Sequence, residues 1–266
     1  MDLQLHGRRA LVTGSTAGIG FAIARRLAEE GAVVFVNGRS AASVDAALAR
    51  LRGDLPRAEL HGIAADLGTA EGCRALAAAL GDPGVDILVN NLGIFDPKPF
   101  DAIGDEDWQR FFDVNVMSGV RLARALLPAM KARDWGRIVF VSSESGLCPP
   151  AEMVHYGMTK SAQLSVARGL AETCAGTRIT VNSVLPGPTL TEGAQAFFDK
   201  LARDGGRSFD ETARAFFTQA RPTSLLRRFI TPDEVAATTA YLCSPLAAAT
   251  TGAAVRVDGG VVRSIA

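Results

Sequence analysis

Short apolar runs alternate along the chain with longer amphipathic stretches. Ala10-Leu11-Val12-Thr13 and Ala32-Val33-Val34-Phe35-Val36 are continuous runs of strand length, the pattern of strands buried on both faces. Between them Ile19, Ile23 and Leu27 recur at helical spacing, and Gly31 follows, a residue suited to ending a helix. The alternation predicts a helix over 41–51, strands starting at Leu60, Val85, Arg137, Ile179 and Ala254, and helices over 70–80, 105–130, 156–174 and 232–243. Such alternation predicts an α/β fold: one doubly wound parallel sheet of about seven strands with helices on both faces. One stretch breaks the rhythm. Residues 188–231 carry Gly193, Gly205 and Gly206 with Phe197-Phe198 and Phe216-Phe217. They are expected to form a helical insertion within a single domain spanning 1–266, not another strand.

Composition excludes several functions. A length of 266 residues suits one large α/β domain. Lys and Arg (28) balance Asp and Glu (28), so no basic face is offered to nucleic acid. The four cysteines show no C-x-x-C spacing and the three histidines are scattered, so no metal site is expected. No apolar run reaches membrane-span length, and the first residues lack the basic-then-apolar order of a secretory leader. A cytoplasmic protein without a membrane partner is expected.

The stretch Thr13-Gly14-Ser15-Thr16-Ala17-Gly18-Ile19-Gly20 lies between the first strand and the first helix. A glycine-rich turn there lets backbone N–H groups approach a pyrophosphate, and the helix N-terminus adds a favourable dipole. The spacing is G-x-x-x-G-x-G, a variant of the Rossmann-like dinucleotide turn, and it lacks the Lys-Ser/Thr of a P-loop. Alone, it is equally a tight structural turn.

Tyr156 and Lys160 stand four apart at the start of a predicted helix and share one face. A positive charge about 5 Å from the phenol, at an effective dielectric of roughly 20, stabilises phenolate by about 3 kcal/mol. That is roughly 2 pK units, enough to bring a phenol towards general acid/base work. Ser142-Ser143 ends the fifth predicted strand, where open α/β sheets place ligands, and a hydroxyl there can bond a substrate oxygen. Asn115 sits inside the predicted helix over 105–130; an inward amide there needs a reason, such as holding a water that relays protons from Lys160. Read singly, each has a plainer alternative: a surface helix pair, a strand-end serine, an exposed helix position.

Together these pieces resemble the short-chain dehydrogenase/reductase family, in particular its 3-oxoacyl-[acyl-carrier-protein] reductase-like members. The resemblance runs from about Gly7 to Gly260. It rests on Thr13-Gly14-x-x-x-Gly18-Ile19-Gly20, Asp66-Leu67, Asn90-Asn91-Leu92-Gly93, Asn115, Ser143, Tyr156-x-x-x-Lys160, Pro186-Gly187 and Val257-Asp258-Gly259-Gly260. It implies that Tyr156 is the acid/base, that Lys160 lowers its pKa and binds the nicotinamide ribose, that Ser143 orients the carbonyl, and that Asn115 completes a proton relay. It implies a cofactor cradle of Gly14, Ser15, Thr16, Gly18, Ile19 and Gly20, with Asp66 and Leu67 at the adenine and Asn91 and Gly93 at the ribose. The 186–191 stretch, with Pro186, Gly187, Thr189 and Thr191, would cover the nicotinamide amide. Leu92 replaces the family's usual alanine.

After the second strand the chain reads Asn37-Gly38-Arg39-Ser40. No carboxylate is present to bind a ribose 2′-OH, whereas Arg39 can pair with a 2′-phosphate. NADP(H) is therefore expected to be preferred, with NAD(H) possible. The substrate is expected to be a small carbonyl or alcohol, its pocket drawn from Glu144, Ser145, Cys148, Glu152, Met153 and His155. The resemblance also implies a homo-oligomer, a tetramer built on the helices around 105–130 and 156–175 and the last strand. The competing readings are a non-catalytic dinucleotide sensor on the same fold and a lyase or epimerase with tightly bound NAD. The complete set of Asn115, Ser143, Tyr156 and Lys160 disfavours the sensor.

Overall fold

The computed structural model describes residues 1–265. Among them seven strands form one all-parallel sheet: β1 (Arg9–Val12), β2 (Val33–Gly38), β3 (Leu60–Ala64), β4 (Ile87–Asn90), β5 (Gly136–Val141), β6 (Ile179–Pro186) and β7 (Ala254–Val257). The order across the sheet is β3-β2-β1-β4-β5-β6-β7. The expected doubly wound sheet is therefore present, with a strand at or within a few residues of each predicted position. The central strands β4, β5 and β6 are buried along their whole length, which is why their sequences read as unbroken apolar runs.

Helices cover both faces. One core lies under α1 (Gly18–Glu29), α2 (Ala41–Asp54) and α9 (Pro232–Cys243), and gathers Ile23, Leu27, Leu51 and Val235 against alternate residues of the sheet. The other lies under α3 (Ala70–Ala79), α5 (Ser118–Ala132) and α6 (Val154–Glu172), with Leu76, Leu122, Leu126 and Phe140. Ser40, Thr69 and Thr231 begin α2, α3 and α9 by accepting a backbone N–H of the first turn. Gly31, at φ +81°, follows α1 in a conformation that favours glycine.

The predicted helix over 105–130 is three pieces. α4 (Asp105–Phe111) passes into a π-helical turn, Phe112–Met117, before α5 resumes α geometry. A π turn slips the helical phase and turns side chains that a regular helix would leave elsewhere. Asn115 lies in that turn and is buried.

The insertion carries α7 (Glu192–Asp204) and α8 (Phe209–Gln219). Phe198, Phe216, Phe217 and Phe229 interlock edge-to-face and stacked, with ring centroids 4.8–5.6 Å apart. The insertion thus holds an aromatic cluster of its own. No described helix is long and apolar enough to cross a membrane.

Leu88, on β4, is fully buried in the second core. Leu88→Ala is expected to lower unfolding free energy by about 2–5 kcal/mol, read by urea denaturation. A loss below 1 kcal/mol would mean that the site collapses around the smaller side chain.

Candidate active site

Because every strand is parallel, all C-terminal ends meet on one edge, and the strand order reverses between β1 and β4. Open α/β sheets bind ligands in the crevice that this reversal creates. Gly14 and Gly18 take positive φ values of 58° and 57° in the β1–α1 turn. Ser15 turns inward: its hydroxyl donates to the Val12 carbonyl at 2.7 Å and accepts from Asn37 N at 3.0 Å. Ala17, at the N-cap of α1, has no side chain with which to cap the helix. Instead the Glu192 carboxylate, from the start of α7, accepts from Gly18 N at 3.0 Å. A carboxylate seated there shows that the first turn, with Gly18, Ile19 and Gly20, takes an anion. The turn fits a dinucleotide pyrophosphate on that ground. Thr191 lies over Gly18, where a Cβ would come within 3.2 Å of its Cγ2.

Asn91 ties β4 to the end of β1 through its side chain. Its amide nitrogen donates to the carbonyls of Thr13 and Gly14 at 2.9 and 3.1 Å. The Thr13 hydroxyl in turn accepts from the backbone N–H groups of Asn91 and Leu92, both at 2.9 Å. The ends of β1 and β4 are thus laced together, and Leu92 packs against Gly14. Gly93 lies beside the Lys160 ammonium; a Cβ there would sit 3.4 Å from Nζ.

At the end of β2, Asn37 is buried and its carbonyl oxygen Oδ1 accepts from Gly14 N at 3.2 Å. A Cβ at Gly38 would lie 2.5 Å from Thr16 Cγ2, so no side chain fits beside the turn as it stands. Arg39 is exposed next to it. At the end of β3, Asp66 Oδ1 accepts from Gly68 N at 3.0 Å and Leu67 is buried in the core. Asp66 and Leu67 therefore shape the turn at the adenine position, and the Leu67 side chain belongs to the core. Past β6, Thr189 donates to the Gly187 carbonyl and Thr191 caps α7. A Cβ at Gly187 would strike the Asp258 backbone, so Pro186-Gly187 and Asp258 are packed as one unit.

Asn115, Ser143, Tyr156 and Lys160 converge beside this crevice. Lys160 is only 4 % exposed; its ammonium donates to the Val141 carbonyl at 3.0 Å and lies 5.5 Å from the centre of the Tyr156 ring. Burial pulls Lys160 down to about 8, against the Glu144 carboxylate. The lowering of Tyr156 expected from Lys160 is outweighed. Burial and the like charge of Glu144 push the phenol above its ordinary value, while Ser143 acts the other way. Asn115 is fully engaged: Oδ1 accepts from Ile94 N at 2.8 Å, and Nδ2 donates to the Ile94 carbonyl and to Thr159 Oγ1, both at 3.0 Å.

Two further groups belong here that the sequence did not mark. Gln163 is buried one turn beyond Lys160. Its Oε1 accepts from the ammonium at 3.2 Å and its Nε2 donates to the Asn115 carbonyl. The side chain thus stands where a relay water was expected. The signal was a polar residue three past the lysine on an inward face. The second is Arg221. Ser143 donates to Glu144, which is buried, and Arg221, from the end of the insertion, donates to Glu144 Oε1 at 3.3 Å and to Glu152 Oε1 at 3.3 Å. Glu144 and Glu152 were expected near the pocket; Arg221 lies too far along the chain for any local pattern to join it to them. His155, expected in the pocket, instead packs on Phe111 at 4.0 Å and beside Trp108. Its position next to Tyr156 on α6 turns its side chain about 100° round the helix, and burial lowers its pKa.

A doubly wound sheet with a crevice at its switch point suits a dinucleotide, and the proteins this chain resembles make it an NAD(P)-dependent oxidoreductase. A family model described as Enoyl-(Acyl carrier protein) reductase matches residues 14–262. The uncharacterized oxidoreductase YvaG of Bacillus subtilis is 49 % identical over 265 residues, covering 100 % of both chains. D-beta-hydroxybutyrate dehydrogenase of Cupriavidus necator is 35 % identical over 97 % of this chain and 99 % of its own. Among solved structures, L-sorbose reductase of Gluconobacter frateurii, complexed with NADPH and L-sorbose, superposes with a TM-score of 0.94 at 32 % identity over 100 % of both chains. The chain belongs to the short-chain dehydrogenase/reductase family.

Thr13→Val keeps the shape of the threonine but leaves the Asn91 and Leu92 N–H groups without their acceptor. It is expected to cost about 1–3 kcal/mol in urea denaturation and to weaken dinucleotide binding by titration calorimetry. Unchanged values in both would show that the lacing of β1 to β4 contributes nothing.

Proposed function

We propose that the protein interconverts a ketone and a secondary alcohol, with Tyr156 as general acid/base and NADP(H) as preferred dinucleotide. The observation that carries this reading is the approach of the buried Lys160 ammonium to the Tyr156 ring, beside Ser143 at the end of β5. When bound, the reduced nicotinamide supplies a hydride to the carbonyl carbon. The Tyr156 hydroxyl gives its proton to the carbonyl oxygen, and Ser143, turning its one O–H from Glu144 to that oxygen, holds it. Lys160 stabilises the phenolate that remains. Gln163 and the Val141 carbonyl hold the ammonium towards the phenol, and Asn115 ties the Ile94 loop to α6 so that Lys160 stays shielded from water. The β1–α1 turn holds the pyrophosphate, and Arg39 with Thr16 meets a 2′-phosphate. The NADPH bound by the L-sorbose reductase relative supports this preference. A homotetramer on the helices around 105–130 and 156–175 and on β7 completes the reading; a monomer mass by light scattering would refute that assembly.

Tyr156→Phe is expected to lower kcat by at least about 100-fold in NADPH oxidation at 340 nm while NADPH binding is retained. Equal activity of the mutant would remove Tyr156 from the chemistry. Arg39→Ala is expected to cost NADPH about 1.5–3 kcal/mol, roughly 10- to 150-fold in kcat/KM, and to leave NADH nearly unaffected. An equal loss with both cofactors contradicts the 2′-phosphate assignment.

Lys160 charge sets the alkaline limit of reduction. The ammonium is lost as pH rises through about 8, so kcat/KM should fall there. Gln163→Leu removes an acceptor that favours the charged form, and the fall should move to lower pH. Gln163→Glu, which adds a negative charge, should move it higher. A structural role alone would change thermal stability and leave the pH profile in place.

A further inference from the structure

The charged wall beside Ser143 has a composition that selects among substrates. Glu144 is only 5 % exposed, and its carboxylate is held from three sides. One oxygen accepts from the Ser143 hydroxyl and from Ser145 N at 3.0 Å; the other accepts from Arg221 Nε at 3.3 Å. The Arg221 side chain is itself 11 % exposed, lies against the Phe216 ring, and reaches the half-exposed Glu152 with Nη1. Two carboxylates and one guanidinium therefore stand together beside the serine. The Ser143–Glu144 hydrogen bond puts the first of them within one side chain of the reacting oxygen.

Burying such a pair costs several kcal/mol per ion unless hydrogen bonds satisfy the remaining lone pairs and protons. An apolar chain laid against this wall would strip water from the half-exposed Glu152 carboxylate and return no hydrogen bond. A site built to bond hydroxyl groups rejects an analogue that lacks them far more strongly than an apolar pocket rejects one extra methylene. An anionic substrate meets a different obstacle. The guanidinium is already matched by Glu144 and Glu152, and the second carboxylate leaves the wall negative. A neutral chain bearing hydroxyls meets neither obstacle: its O–H groups donate to the spare lone pairs of Glu144 and Glu152, and its oxygens accept from the Arg221 N–H groups.

We infer that the Glu144–Arg221–Glu152 wall is a recognition site for a neutral polyhydroxylated ketone or the corresponding polyol, with a hydroxyl beside the carbonyl bonded to Glu144. The inference rests on the proposed carbonyl reduction at Tyr156 and adds the substrate class to it. It also gives the insertion a part in selection, since Arg221 is its contribution to the wall.

Three six-carbon ketones separate the possibilities: D-fructose (neutral, hydroxylated), 5-keto-D-gluconate (hydroxylated, anionic) and 2-hexanone (apolar). With the full chain and saturating NADPH, kcat/KM for D-fructose is expected to exceed that for each of the other two at least tenfold. Glu144→Gln and Arg221→Met are each expected to reduce the D-fructose to 2-hexanone ratio at least tenfold, mainly through KM. Sorbitol binding to the NADP+ complex, measured by calorimetry, should weaken in parallel, which tests the wall without turnover. A preference for 2-hexanone or for 5-keto-D-gluconate overturns this inference and leaves carbonyl reduction standing. The same holds if the variants lose thermal stability with the ratio unchanged, which would make the pair a structural tie. No turnover of any ketone, with NADPH still bound, defeats both.

Discussion

The ammonium of Lys160 has to be held out of water without a carboxylate pressed against it. A buried cation in that position is unstable on its own, and the rest of the site is arranged around relieving it. The Val141 carbonyl at the end of β5 takes one N–H and the Gln163 amide oxygen takes another. A third direction stays open towards Gly93, where any side chain would crowd it. Glu144 acts on it through space and is itself neutralised by Arg221. Backbone and amide dipoles thus do what a salt bridge would do elsewhere. They leave the lysine charged but close to losing its proton, a condition suited to a group that must tune a neighbouring phenol.

Much of the frame was legible because its cause is local. Strands buried on both faces show as apolar runs, and helices show as apolar residues recurring at helical spacing, so sheet and helices could be placed from the chain alone. The Tyr156–Lys160 pair was legible because four residues make about one helical turn. The π turn at Phe112–Met117 was not. A single slip of phase leaves the apolar periodicity on either side intact, and only the misplaced amide of Asn115 hinted at it. The side-chain role of Asn91 in joining two strands was hidden for a related reason. Its position in the chain was informative, but the hydrogen-bonding demand of the Thr13 and Gly14 carbonyls arises only once β1 and β4 lie side by side. Arg221 was invisible because its partners lie 69 and 77 residues away.

The insertion contributes in two physically distinct ways. Its phenylalanines pack against one another, so α7 and α8 have an apolar reason to stay together. Its polar ends then reach into the crevice at two points: Glu192 to the first turn of α1, and Arg221 to the carboxylates beside Ser143. A unit with its own aromatic packing thus presents both charged contacts from one packed body.

Gly38 carries a lesson for redesign. Exchanging one dinucleotide for the other in such a fold begins by placing an acidic residue at this position, yet its Cβ would collide with the methyl group of Thr16 and crowd the Ser43 hydroxyl. An acidic residue there requires the Thr16 methyl group to shift or be trimmed, so altered coenzyme use at this position draws on both residues.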